Sequence, residues 1–169
     1  ILLDQLPRLL NGFGRTFAGY GDSYKAVVIV VCDLDDKNQQ DFLGELHKLF
    51  DSCQHKPVTR FCLAIEEGEA WLLGDISAVK QAYPTAKDAV LQGYENDSIC
   101  GTWELLADAV YEGGVKALKG KGWRAVGAEK FRWASEITPF IDVARNNSPS
   151  FRHFCTCLTT LAATDSISE

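Results

Sequence analysis

The chain has 169 residues, 46% hydrophobic and 24% charged, with six cysteines, no methionine and a formal charge of −6. That length fits one domain, and that balance of apolar and charged residues excludes a disordered chain. The acidic total excludes a surface that is basic throughout, as a general nucleic-acid platform would be.

The longest apolar run, Ala26 to Cys32, is far shorter than the roughly 20 residues needed to cross a bilayer. No charged-then-apolar leader precedes it, so a soluble protein is expected. Cys32, Cys53, Cys62, Cys100, Cys155 and Cys157 lie mostly within apolar stretches. That is the pattern of reduced core thiols and points to an intracellular, cytoplasmic setting. The chain opens on Ile1 and holds no Met, so the natural protein is expected to extend upstream.

In chain order, a short helix is predicted over Leu2–Leu10, followed by a Gly-rich stretch from Gly12 to Asp22. Residues Lys25–Cys32, KAVVIVVC, lack polar alternation and are dense in β-branched side chains, which predicts a strand covered on both faces. Phe42, Leu43, Leu46, Leu49 and Phe50 then recur at helical offsets, and a second strand is predicted from Val58 to Ile65. Strand, helix and strand of these lengths make a βαβ crossover with parallel strands and a right-handed connection.

After Gly74-Asp75 the pattern is helical. Trp103, Leu106, Ala107 and Val110 make one stripe, closed by Gly113-Gly114, and Trp133, Ala134, Ile137, Phe140 and Ile141 make another. Ser148 is a natural N-cap with Pro149 at the first helical position, opening a helix whose Phe151, Phe154, Cys155, Leu158 and Ala162 face inward. The expectation is a single domain over 1–169, with an α/β core over 1–75 and an all-helical part over 76–169.

Parallel strands carry their carboxyl ends to one edge, where open α/β sheets bind ligands. Asp33, Asp35 and Asp36 close the first strand, and Glu66, Glu67 and Glu69 close the second, and no compensating Lys or Arg is expected in the same turns. Gathered carboxylates repel one another, and a divalent cation such as Mg²⁺ or Mn²⁺ relieves the repulsion. Solvated turn residues are the plainer alternative.

As metal ligands, Asp33 and Asp35 point to one side if extended geometry persists. Glu66 and Glu69, three apart, share a face of a starting helix, Asp36 is a further candidate, and Glu67 is expected to be exposed or to lie N-terminal to the helix dipole. Asp75 is read as a helix cap ahead of a ligand, and Trp71, Leu72 and Leu73 as core.

From Gly113 to Arg132 stand Lys116, Lys119, Lys121, Arg124, Lys130 and Arg132 against Glu129 alone, a local +5 that leaves −11 elsewhere. This strip is either a phosphate track or a solvated helix face, the second being the favoured reading. Cys155 and Cys157, two apart on a helix, diverge by about 200° and cannot converge on one zinc ion, which argues against a zinc site in that segment. Gly19-Tyr20-Gly21 precedes a strand and is a turn, not a phosphate loop. No nucleophile stands at a strand-to-helix elbow, which disfavours a serine or cysteine hydrolase.

The phrases VVIVVCDLDD, CLAIEEGEAWLLGD, EKFRWASEI and RNNSPSFRHF resemble an uncharacterised prokaryotic family, a Toprim-like domain of unknown function, over nearly the whole chain. The resemblance implies a Rossmannoid parallel sheet flanked by helices and a Mg²⁺-dependent core like that of topoisomerases, primases and overcoming-lysogenization-type nucleases. In such a core a glutamate after the first strand joins a downstream Asp-x-Asp, which Asp33 and Asp35 match. That first strand belongs upstream of Leu2 and is absent from this sequence.

The implied activity is hydrolysis of nucleic-acid phosphodiesters, in anti-phage defence beside an ATPase partner, with Asp33, Asp35, Glu66 and Glu69 catalytic and the basic strip on the backbone. A homodimer is a further partner expectation. The rival is a non-catalytic protein-interaction module that keeps the fold and supports an ATPase.

Overall fold

The computed structural model describes residues 2–21 and 24–163. Helix α1, Leu2–Ala18, buries Leu6 and Leu10. It runs well past the expected stop at Leu10, through Gly12 and Gly14, because tertiary contacts hold its second half. Asn11 Oδ1 accepts the amides of Gln54 and His55, each at 2.9 Å. Gly14 lies so close to the His55 carbonyl that a Cβ would stand 2.5 Å from its oxygen. Only glycine permits that approach. Asp22, the end of the expected Gly-rich stretch, lies outside the described residues.

Strands β1, Val27–Asp33, and β2, Val58–Ala64, pair in parallel from Val27↔Val58 to Asp33↔Ala64. Helix α2, Gln39–Asp51, connects them. Its N-cap, Asn38, accepts from the amides of Gln40 and Asp41, satisfying donors that an unfinished first turn leaves bare. Val30, Leu34, Phe42, Leu46, Cys53 and Leu63 join Leu6 and Leu10 in one apolar core, at roughly 1.5–3 kcal/mol for each large side chain fully withdrawn from water. Val31 remains 45% exposed. The expectation of a strand covered on both faces is therefore corrected: two strands cannot support helices across both sides of β1.

A second core is wholly helical. It is built from α3 (Glu69–Leu73), α4 (Ile76–Ala82), α5 (Asp88–Leu91), α6 (Thr102–Val110), α7 (Gly114–Gly120) and α8 (Trp123–Ile137). Leu73, Val79, Leu91, Leu106, Leu118, Trp133 and Ile137 meet at its centre. Gly114 adopts φ +65° and packs against the Asp108 carboxylate, which accepts the Val115 amide at 2.7 Å. The expected Trp133 stripe ends early. The helix gives way to a 3-10 turn over Thr138–Phe140, leaving Phe140 exposed, and Ala134 faces solvent.

The last helix, α9 (Pro149–Ala163), returns to pack on β2. Ser148 Oγ caps it, accepting the Phe151 amide. Phe151 and Phe154 close on Trp71, while Leu158 and Ala162, expected inside, are exposed. The molecule is thus α/β with a two-stranded parallel sheet and mostly helical. Among the described residues, no helix is long and apolar enough to cross a membrane.

Candidate functional site

The strand ladder continues into the loops that carry the acidic residues. The Leu34 amide donates to the Ala64 carbonyl at 2.9 Å, and the Asp35 amide to the Glu66 carbonyl at 2.8 Å. These bonds lock the two acidic segments side by side at the carboxyl edge of the sheet.

The carboxylates then part company. Both Asp35 (φ +54°) and Glu66 (φ +62°) are left-handed, so extended geometry does not persist beyond β1 and β2. Asp35 turns to solvent beside Lys37, 3.6 Å away, and Asp36 is exposed. Glu66 turns away from Glu69. Its two oxygens accept the amides of Gly101 at 2.7 Å and Thr102 at 2.9 Å, with Cys100 at 3.3 Å. A carboxylate there satisfies the bare N–H groups opening α6 and meets the positive end of its dipole. The expected shared face of Glu66 and Glu69 is corrected accordingly.

Asp33 stays at the sheet edge, exposed, and accepts a hydrogen bond from the Gly68 amide. Glu69 is buried in the first turn of α3. Glu67 stands just ahead of the N-terminus of α3, one of its two expected placements, and is largely covered, not exposed. Lys130 explains both: reaching in from α8, its Nζ stands 3.2 Å from Glu67 Oε1 and 3.2 Å from Glu69 Oε2. No cation in the same turns was expected to compensate the cluster; Lys37 in fact stands beside Asp35, and the cation on Glu67 and Glu69 comes from a distant helix.

One ammonium does not balance three carboxylates. Burial pushes Asp33 above the usual carboxylate range, against the pull of Lys130 and the Gly68 hydrogen bond, and the charge of Asp35 raises it further. Burial likewise raises Glu67 and Glu69, again opposed by Lys130. Burial alone would lower Lys130, but the charges of Glu69 and Glu67 outweigh it and hold the ammonium above its ordinary value. Glu67 Oε2 is buried with no hydrogen-bond partner.

Glu67 also joins the two halves of the acidic set. It lines a shallow cleft of about 240 Å³ together with Asp35, Asp36, Glu66, Gly101, Trp103 and Glu104. The structure therefore brings Asp33, Glu67 and Glu69 around Lys130, and Asp35, Asp36 and Glu66 along the neighbouring cleft. No family model, curated protein or solved structure matches the chain. The reading of this site rests on its own geometry and on the sequence phrases that led to it.

The most distinctive of those phrases meet in space. Asn146 Nδ2 donates to the Trp71 carbonyl at 2.8 Å, the Asn147 amide to the Gly74 carbonyl at 2.8 Å, and Trp71 Nε1 to Ser150 Oγ at 2.9 Å. Asp97, which no sequence pattern singled out, accepts from Ser148 Oγ and the Ser150 amide, both at 2.6 Å. Trp71 is thereby a packing residue, stacked on Phe154 at 5.1 Å. Asp75 caps α4 through the Ala78 amide at 3.1 Å and takes the Arg145 fork at 2.9 and 2.8 Å, which excludes it from the acidic cleft.

The basic strip is divided among partners. Lys119 pairs with Glu104 at 3.1 Å and lies over the Trp103 ring, Lys121 donates to the Tyr111 hydroxyl at 2.6 Å, and Arg132 pairs with Glu129 at 2.6 Å. Lys130 belongs to the acidic cluster. Lys119, Lys130 and Arg132 are thus engaged by carboxylates and Lys121 by a hydroxyl, while Lys116 and Arg124 face solvent.

Proposed function

We propose that this chain carries the acidic centre of a divalent-cation-dependent hydrolase acting on nucleic-acid phosphodiesters. The observation that supports it is Glu67. One of its oxygens is held by Lys130, the other is buried and unpartnered, and the residue borders a cleft lined by Asp35, Asp36 and Glu66. A buried carboxylate oxygen left without a partner costs about 1–3 kcal/mol, which a bound cation offsets.

Carboxylate oxygen is the donor chemistry that Mg²⁺ and Mn²⁺ prefer, and because no three of these carboxylates among the described residues bring ligand atoms within 4.8 Å of one another, water would complete the shell. Asp33, Asp35 and Glu67 are the residues that would hold the ion, with Asp36 beside them. Glu66 lines the same cleft with its oxygens engaged by the start of α6, and Glu69 is paired with Lys130. The ion's contribution when bound is neutralisation of phosphate charge and activation of water. The chain's own contribution is to fix the carboxylates: the ladder bonds hold Asp35 against Glu66, and Lys130 clamps Glu67 to Glu69. On α8, Arg124, Trp123 and Phe131 are exposed.

The test is calorimetric titration with Mg²⁺ and Mn²⁺, alongside cleavage of end-labelled single- and double-stranded DNA and RNA. The wild type is compared with Asp33→Ala and Glu67→Gln. Binding and cleavage lost in both variants support the hydrolase. Absence of divalent binding in the wild type overturns it.

A second reading, a non-catalytic module that binds a protein partner such as an ATPase, is favoured by one observation. Phe13, Phe17, Tyr20 and Tyr24 follow one another along and beyond α1 at centroid spacings of 5.8, 5.5 and 6.1 Å, with Phe13, Tyr20 and Tyr24 exposed. An exposed aromatic run of that kind marks an interaction surface.

A further inference from the structure

Away from the acidic cluster, the side chains of Cys62, His153 and Cys157 converge. Their ligating atoms all lie within 4.8 Å of one another. We infer that these three residues form a thiophilic metal centre, selective for Zn²⁺, that ties α9 to the sheet.

His153 and Cys157 are one helical turn apart on α9 and so project to the same side, whereas Cys155 points elsewhere. Cys62 approaches from β2, the strand on which α9 packs, and its side chain is fully buried. Zinc–sulfur bonds near 2.3 Å and zinc–nitrogen bonds near 2.0–2.1 Å, meeting at the tetrahedral angle, place S and N about 3.6 Å apart. Cys157 Sγ and His153 Nε2 stand at 3.6 Å. The pair on α9 is already spaced for a shared tetrahedral ion.

The donor chemistry selects the metal. Two thiolates and an imidazole favour Zn²⁺ and reject Mg²⁺, which prefers oxygen. On ligation each thiol releases its proton to solvent, and no electron is transferred. Three protein ligands leave one tetrahedral position for water or an incoming ligand. His153 is exposed and lines a cavity of about 860 Å³ with Asp97, Ser150, Phe61 and Leu63, so the centre is reachable from the surface. The ion would join two parts of the chain distant in sequence and, by binding only the folded state, stabilise it by mass action.

The experiment uses the full chain, reduced and metal-free, titrated with Zn²⁺ and separately with Co²⁺ as a spectroscopic probe. The expected result is one ion per chain and the intense visible absorption of tetrahedral, thiolate-bound Co²⁺. Affinity falls at least tenfold in Cys157→Ser and in His153→Gln, while Cys155→Ser binds like the wild type. Circular dichroism establishes that each variant is folded. As a second readout, Zn²⁺ protects the partly exposed Cys157 from alkylation and leaves the exposed Cys100 reactive. No thiolate–Co²⁺ absorption in the wild type, or a loss in Cys155→Ser equal to that in Cys157→Ser, would overturn the proposal.

Discussion

Two carboxylate sites in this molecule are built alike and finished differently. Asp75 accepts four hydrogen bonds, from the Ala78 and Asp142 amides and from two nitrogens of Arg145. Burial alone would raise it, but Arg145 and the amides outweigh burial and hold it below the usual carboxylate range. At the sheet edge, Asp33, Glu67 and Glu69 share Lys130, all three are raised by burial, and one oxygen has no partner. A completed site is a structural joint. An under-compensated one stores unfavourable charge that a ligand relieves, and such sites concentrate at functional positions.

The largest effect that would test this contrast is expected at the joint. Asp75→Ala removes a helix cap and a charge-assisted network, a loss of about 3 kcal/mol in urea unfolding. The sign with pH follows from the depressed value. Stability from Asp75 is present above the unfolded carboxylate pKa and is lost as pH falls through the folded one. The variant therefore shows a flatter acid limb than the wild type. An unchanged acid limb would mean that Asp75 is not the completed site its bonds describe.

Next in size is Lys130→Met, which leaves Glu69 buried beside Glu67 with no cation. Because Lys130 is 29% exposed, the expected loss at neutral pH is about 2–3 kcal/mol, below that of a fully buried pair. Here the pH dependence has the opposite sign. Asp33, Glu67 and Glu69 are raised in the folded state, so their contribution is favourable when protonated and is lost as pH climbs above the ordinary carboxylate range. Acidification should narrow the gap between variant and wild type, as thermal melts at a series of pH values would show.

Glu66→Gln is expected to weaken the anchoring of α6 by about 1 kcal/mol, through loss of charge at a helix N-terminus. Hydrogen exchange at Gly101 and Thr102 should report it. Divalent binding that falls more than stability does would instead make Glu66 a ligand. The smallest stability change is assigned to Glu67→Gln, within about 0.5 kcal/mol of wild type without divalent ions, because the variant removes an uncompensated charge while keeping the shape. The same substitution should abolish Mg²⁺ binding. A large stability loss without divalent ions would show that Glu67 is a joint like Asp75.

The parts of this protein determined by local sequence are those with a short-range cause. The run from Val27 to Cys32, the offsets from Phe42 to Phe50 and the intervening turn specify β1, α2 and β2 and their parallel pairing, because side-chain periodicity and connection length act over a few residues. Asp75 and Ser148 were legible as caps for the same reason. The full length of α1 was not, since Gly12 and Gly14 read as breakers until Asn11 and Gly14 meet the loop at Gln54 and His55.

Only tertiary structure decided the rest. Lys130 becomes the counter-ion of Glu67 and Glu69 through the placement of α8, and Cys62 meets His153 and Cys157 because α9 folds back on β2. Glu66 leaves the cluster because a left-handed turn points it at the start of α6. Charge and ligation act through space, and spacing along the chain does not encode which distant helix supplies the partner.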